Sequence, residues 1–219
     1  MLEWLRTRWG RRAYGPRYHR DAPLESLRYA VFDTEFTSLD ARRNRLLSVG
    51  GLAMQGSSIR LGEQFYCVVN PGESVPASSV LIHQLRAEDV EAALPFAQVR
   101  DQMLQFFDGA VLVGHFVGID VKLLRKELGS AHELGNPVVC TARAYRWILR
   151  HGRYSEDLPA KLEHVDLGTV AKAYGLEVHD AHHALHDAFL TARVWQRMLP
   201  VLEGMQMGTL GKLMRIAGV

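Results

Sequence analysis

Two acids, Asp33 and Glu35, are separated by one residue in the apolar run Tyr29-Ala30-Val31-Phe32-Asp33-Thr34-Glu35-Phe36. On a strand, residues i and i+2 share a face, so both carboxylates project the same way. Two like charges side by side on an apolar strand are costly to ionise. A divalent cation with oxygen ligands neutralises them better than a lone Lys or Arg does. An edge strand with two solvated acids is the alternative for this segment taken alone. A third acid, Asp120, ends Val113-Gly114-His115-Phe116-Val117-Gly118-Ile119-Asp120, where a strand gives way to a helix. A carboxylate there suits a cation site or the positive end of the helix dipole. A fourth, Asp187, closes His179-Asp180-Ala181-His182-His183-Ala184-Leu185-His186-Asp187. Histidines four apart, His179 with His183 and His182 with His186, permit a zinc reading. Neither pair encloses a glutamate, and no Cys or His elsewhere completes a zinc spacing. Asp187 as ligand to a hard cation, with a neighbouring histidine as base, is the better chemistry.

The elements that must position these groups follow from periodicity. Strand-like runs cover Tyr29 to Phe36, Leu46 to Met54 and Ile59 to Val69, with Gly56-Ser57-Ser58 as a hairpin break, which predicts a three-stranded meander. A helical pattern runs from Phe96 to Phe107, then an apolar strand from Ala110 to Val113, then a helix from Ile119 to Leu128. Beyond Pro137 come a short apolar run, a helical pattern through Ile148, and helices over Leu167 to Tyr174 and Ala184 to Leu199. This order predicts an α/β domain, a mixed sheet with helices packed against it.

Composition narrows the class further. The chain has 219 residues, 47% hydrophobic and 23% charged, which excludes fibrous and disordered classes. Its longest apolar stretch, Ala110 to Ile119, falls far short of the roughly 20 residues that span a bilayer. The basic N-terminus lacks an apolar signal region, so the expected location is cytoplasmic. Cys67 and Cys140 sit in apolar runs and read as buried thiols. Residues 1–20 carry six arginines against one glutamate, a basic arm on a chain whose remainder is net acidic. Such an arm suits nucleic acid, an anionic surface or plain solvation, and Trp4, Leu5 and Trp9 add an amphipathic docking turn. The expected organisation is a basic extension over 1–27, one domain over 28–200 and a short helical tail over 201–219.

Taken together, Asp33-Thr34-Glu35, the G-H-x-x-x-x-D-like stretch ending in Asp120, and His182-x-Ala184-x-x-Asp187 resemble the motifs of the DEDDh 3′-to-5′ exonucleases. The epsilon subunit of bacterial DNA polymerase III is a member of that family. Thr37-Ser38-Leu39-Asp40, Ile82-His83 and Asp166-Leu167 through Gly175 add supporting similarity. The resemblance implies a ribonuclease H-like fold with a five-stranded mixed sheet, one strand of it antiparallel. It implies that Asp33, Glu35, Asp120 and Asp187 hold two Mg²⁺ or Mn²⁺ ions, and that His182 is the general base. It further implies substrate contacts from Thr34, Phe36, Leu39, His83 and Phe116. His183 and His186 compete for the role of base; the spacing of His182 to Asp187 matches the family.

The implied activity is release of 5′-mononucleotides from the 3′ end of single-stranded nucleic acid. DNA is the first expectation, in proofreading or repair; RNA trimming, oligoribonuclease activity and a catalytically weak binding module are the alternatives. The sequence departs from the family at Phe116, where many relatives have Asn, and at Ile119, where Phe commonly precedes the Asp. A DNA polymerase subunit is an expected partner, although the stretch Val201 to Val219 is short for the family's polymerase-binding tail and reads first as packing on its own domain.

Overall fold

Valine, leucine and aromatic residues concentrate in segments of strand length, and in the computed structural model these become a sheet. The structure describes residues 13–14, 18–38, 40, 43–73, 75, 85–152, 165–178 and 182–219. Strands β1 (Ala13–Tyr14), β2 (Arg28–Phe36), β3 (Leu46–Gln55), β4 (Ser58–Val68), β5 (Val111–Gly114), β6 (Glu133–Leu134) and β7 (Val138–Cys140) follow in chain order. Helices α1 (Ala87–Ala92), α2 (Phe96–Phe107), α3 (Gly118–Leu128), α4 (Thr141–His151), α5 (Leu167–Ala173), α6 (Ala184–Gly204) and α7 (Leu210–Ala217) complete it.

Five strands form one mixed sheet in the order β4-β3-β2-β5-β7, and β1 pairs separately with β6. Strand β3 runs antiparallel to both neighbours, while β5 is parallel to β2 and to β7. This is the ribonuclease H-like arrangement expected from the sequence. Its consequence for the acids is direct: β2 is the middle strand, so the solvated edge-strand alternative for Asp33 and Glu35 does not apply.

Helices cover both faces. Helix α6 packs on β2, β3 and β4, with Trp195 meeting Tyr29 edge-on at 5.8 Å. On the other face Phe107 of α2 meets Phe32 at 5.1 Å. All four rings are buried, and each contributes about 1.5–3 kcal/mol of burial relative to exposure. Helix α6 extends through Gly204 with Pro200 inside it, beyond the end at Leu199 that the sequence suggests. Proline costs the helix one backbone bond, and buried Leu202 in the next turn holds the chain helical against that cost. The segment after α6 folds back: α7 packs on α4 and β7, and Gly218 bridges Val139 on the outer edge of the sheet.

Candidate active site

Strands β2, β5 and β7 run parallel, so their C-terminal ends lie together, and there open α/β sheets bind ligands. Asp33 and Glu35 occupy the last turns of the pleat on β2, and their side chains share a face. Asp120 lies in the first turn of α3, after β5, and Asp187 in the first turn of α6. Ligand oxygens of Asp33, Glu35 and Asp187 lie within 4.8 Å of one another. Two chain segments distant in sequence, β2 and the start of α6, thus converge on one acidic cluster.

Gly50 makes this approach possible. It is the β3 partner of Asp33, and a Cβ there would overlap the backbone of Ala184 and Leu185. Absence of a side chain lets the start of α6 settle onto the sheet beside Asp33, which carries Asp187 into the cluster. The backbone N–H of His182 donates to Asp187 Oδ2 at 2.9 Å and fixes that carboxylate further.

Thr34, facing the other way on β2, secures the fourth acid. Its N–H and hydroxyl both donate to Asp120 Oδ1, at 3.2 and 2.5 Å. Asp120 therefore stands at the edge of the cluster with one oxygen engaged, and it is not one of the three carboxylates within 4.8 Å.

Electrostatics records the crowding. Desolvation, then the charges of Asp120, Glu35 and Asp187, hold the Asp33 carboxyl well above its ordinary range. Burial pushes Asp120 up to about 6 against the opposing bonds from Thr34. Burial likewise raises Asp187, opposed by the His182 N–H. A site of oxygen donors whose acids resist ionisation is suited to hard divalent cations, which remove the repulsion. The donor set thus fits the metal expected from the motifs.

The histidines divide. His182 is exposed and holds a left-handed backbone, φ 71°, which strains a residue with a Cβ. His183 is half-buried, its ring stacked on Tyr66 at 4.8 Å and tilted against His186 at 4.4 Å. Burial and the neighbouring His186 lower its pKa. Tyr66 belongs to β4 in the row Asp33, Gly50, Tyr66; sequence reading missed it because cross-strand register is not written in any one segment.

Phe116 also has a left-handed backbone, φ 54°; the residue is 43% exposed, and the Arg146 guanidinium lies over its ring. Asn adopts that conformation readily and Phe does not, so the departure noted in the sequence stores strain beside the site. Phe36 is half-buried against the core. Leu39 and His83 lie outside the described residues, as does most of the basic arm. His115, read only as part of a motif, is buried and neutral, its pKa lowered by burial to about 4. Its Nε2–H faces the Val165 carbonyl at 2.7 Å, and Nδ1 lies 2.8 Å from the Thr141 hydroxyl. These contacts tie the turn after β5 to α4 and to the segment before α5.

Comparison with known proteins agrees with this geometry. A family model, RNase_T, described as exonuclease, matches residues 30–195. A DNA polymerase III subunit epsilon-like protein of Rhodobacter capsulatus is 29% identical over 198 residues, 89% of this chain and 27% of that protein. The chain thus spans about a quarter of that relative's length. The DNA polymerase III subunit epsilon of Aquifex aeolicus is 25% identical over 176 residues, 80% of this chain and 81% of that one. Among solved structures, the nuclease domain of 3′hExo, a DEDDh family member bound to rAMP, shares the fold with a TM-score of 0.68. It is 13% identical, over 86% of this chain and 96% of that one.

Proposed function

The chain belongs to the RNase_T exonuclease family, and from that premise we propose that it is a 3′-to-5′ exonuclease that releases 5′-mononucleotides from single-stranded DNA. The observation that carries this reading is the convergence of Asp33, Glu35 and Asp187 within 4.8 Å at the end of the central strand. Asp33, Glu35, Asp120 and Asp187 would hold two divalent cations, Mg²⁺ or Mn²⁺. When bound, these supply positive charge to the scissile phosphate and to the departing 3′ oxygen.

The protein's own groups do the rest. Thr34 orients Asp120, and the His182 N–H orients Asp187. A ring nitrogen of His182 accepts the proton of the attacking water as the new P–O bond forms. The bond from phosphorus to the 3′ oxygen breaks, and that oxygen regains a proton as the shortened strand leaves. His182 is preferred over His183 because His182 is exposed, whereas the half-buried His183 ring packs against Tyr66 and His186. The names of the two curated relatives support DNA as the polymer and a polymerase subunit as partner.

The test is digestion of 5′-labelled single-stranded DNA and RNA of matched sequence, together with a set of two to five nucleotides, in Mg²⁺, Mn²⁺ or EDTA. A metal-dependent ladder shrinking from the 3′ end of DNA is expected. Asp33→Ala abolishes it, and His182→Ala slows it about 10²–10⁴-fold while His183→Ala costs far less. Preference for RNA or for the shortest set would replace DNA as the substrate. Failure to cleave any of them with nucleic-acid binding retained would overturn the enzyme reading in favour of a binding module.

A further inference from the structure

Helix α4 carries Arg143, Arg146 and Arg150 and has no acidic residue. Spacings of three, four and seven place the three on one stripe of a helix. Arg143 and Arg150 are exposed and Arg146 half-exposed. Among the described residues no carboxylate pairs with any of them. Arg143 donates to the Gly218 carbonyl, and Arg146 lies over Phe116 with 5.8 Å from its guanidinium carbon to the ring centre. Trp147 shares the stripe, and its ring stacks on His151 at 4.6 Å.

Location gives the stripe its meaning. Helix α4 begins where β7 ends, at the end of the sheet that holds the acidic cluster, and His115 ties its first residue to the turn that carries Phe116. The cluster itself repels a polyanion, and cations held there serve the scissile phosphate alone. Affinity for the rest of a strand has to come from positive charge elsewhere.

We propose that the outer face of α4 is the track for the substrate strand on the 5′ side of the scissile bond. Arg143, Arg146 and Arg150 hold its phosphates, and Phe116 and Trp147 offer faces to its bases. The proposal rests on the exonuclease reading and deepens it: the substrate is a polymer rather than a dinucleotide. From Arg143 to Arg150 the helix rises about 10 Å, which matches roughly three nucleotide steps of about 3.4 Å in a stacked strand.

The experiment compares the full chain with an Arg143→Gln, Arg146→Gln, Arg150→Gln variant and with the same three changed to Lys. Two substrates are cleaved in Mn²⁺: a 20-nucleotide single strand, and the p-nitrophenyl ester of thymidine 5′-monophosphate, which has no upstream phosphates. Binding of a fluorescein-labelled 20-mer is followed by anisotropy in Ca²⁺ across a salt series. The Gln variant is expected to lower the ratio of kcat/KM for the 20-mer to that for the ester at least tenfold. It also flattens the slope of log affinity against log salt by about 2, at roughly 0.7 per lost phosphate contact on a single strand. The Lys variant keeps most of the slope. An unchanged slope in the Gln variant, an equal loss on both substrates, or loss of the slope in the Lys variant would overturn the track. Cleavage of neither substrate by the unaltered chain would overturn the exonuclease reading instead, while the anisotropy series still decides the track.

Discussion

At the scale of residues, the four acids are held together against their own repulsion, and that sets how the protein responds to pH. Asp33, Asp120 and Asp187 all have raised pKa values, Asp120 at about 6. A carboxyl raised in the folded state costs stability above its folded pKa. The cost is absent below the unfolded value of about 4. For Asp120 the metal-free protein therefore gains stability as pH falls through about 6 toward 4, and the raised Asp33 and Asp187 act in the same direction. His115 acts in the opposite sense: neutral when folded down to about pH 4, it disfavours folding once the unfolded chain takes up protons below about 6.5. Thermal melts in EDTA and in Mn²⁺ test the first effect. Mn²⁺ is expected to raise Tm more at pH 8 than at pH 5.5, and Asp33→Asn to raise the metal-free Tm at pH 8 while removing most of the response to Mn²⁺. Equal Mn²⁺ shifts at both pH values would contradict the assignment.

At the scale of elements, one missing side chain decides how a helix meets the sheet. Gly50→Ala forces the start of α6 away from β3, and overpacking of this kind costs about 1–3 kcal/mol. The expected result is a lower Tm together with weaker Mn²⁺ binding, because Asp187 moves with the helix. Calorimetry showing native Mn²⁺ affinity in a destabilised Gly50→Ala protein would separate the two and refute the coupling. Much of this scale was readable in advance. Strands β2, β3 and β4 and helices α2 and α3 stand within a residue or so of where periodicity puts them, since one alternates at two and the other near 3.6. The acids were legible for the same reason, because i and i+2 on a strand leave no choice of face. Contacts set by register or by distant segments were not legible: Tyr66 reaches His183 only through the pairing of β4 with β3, and His115 finds its partners 26 and 50 residues away. The continuation of α6 past Pro200 was hidden too, because local propensity stops at proline and the packing of Leu202 does not.

At the scale of the whole molecule, the segment after α6 is part of the domain rather than an appendage. Leu210, Leu213 and Ala217 of α7 are buried, and the Val219 N–H donates to the Val138 carbonyl at 3.1 Å, covering the edge that β7 would otherwise expose. Leu213→Ala is expected to cost about 2–5 kcal/mol in urea unfolding. A loss below about 1 kcal/mol would mean that α7 is loosely held and free for another partner. The convergence of acids also has a temporal side. Asp187 is about 150 residues downstream of Asp33, and α6 must lie on the finished sheet before the two meet. A chain emerging from the ribosome displays its Asp33 and Glu35 strand long before their third companion is synthesised. Assembly of the cluster therefore waits for the synthesis and docking of α6, and the Asp33 and Glu35 strand cannot complete it alone.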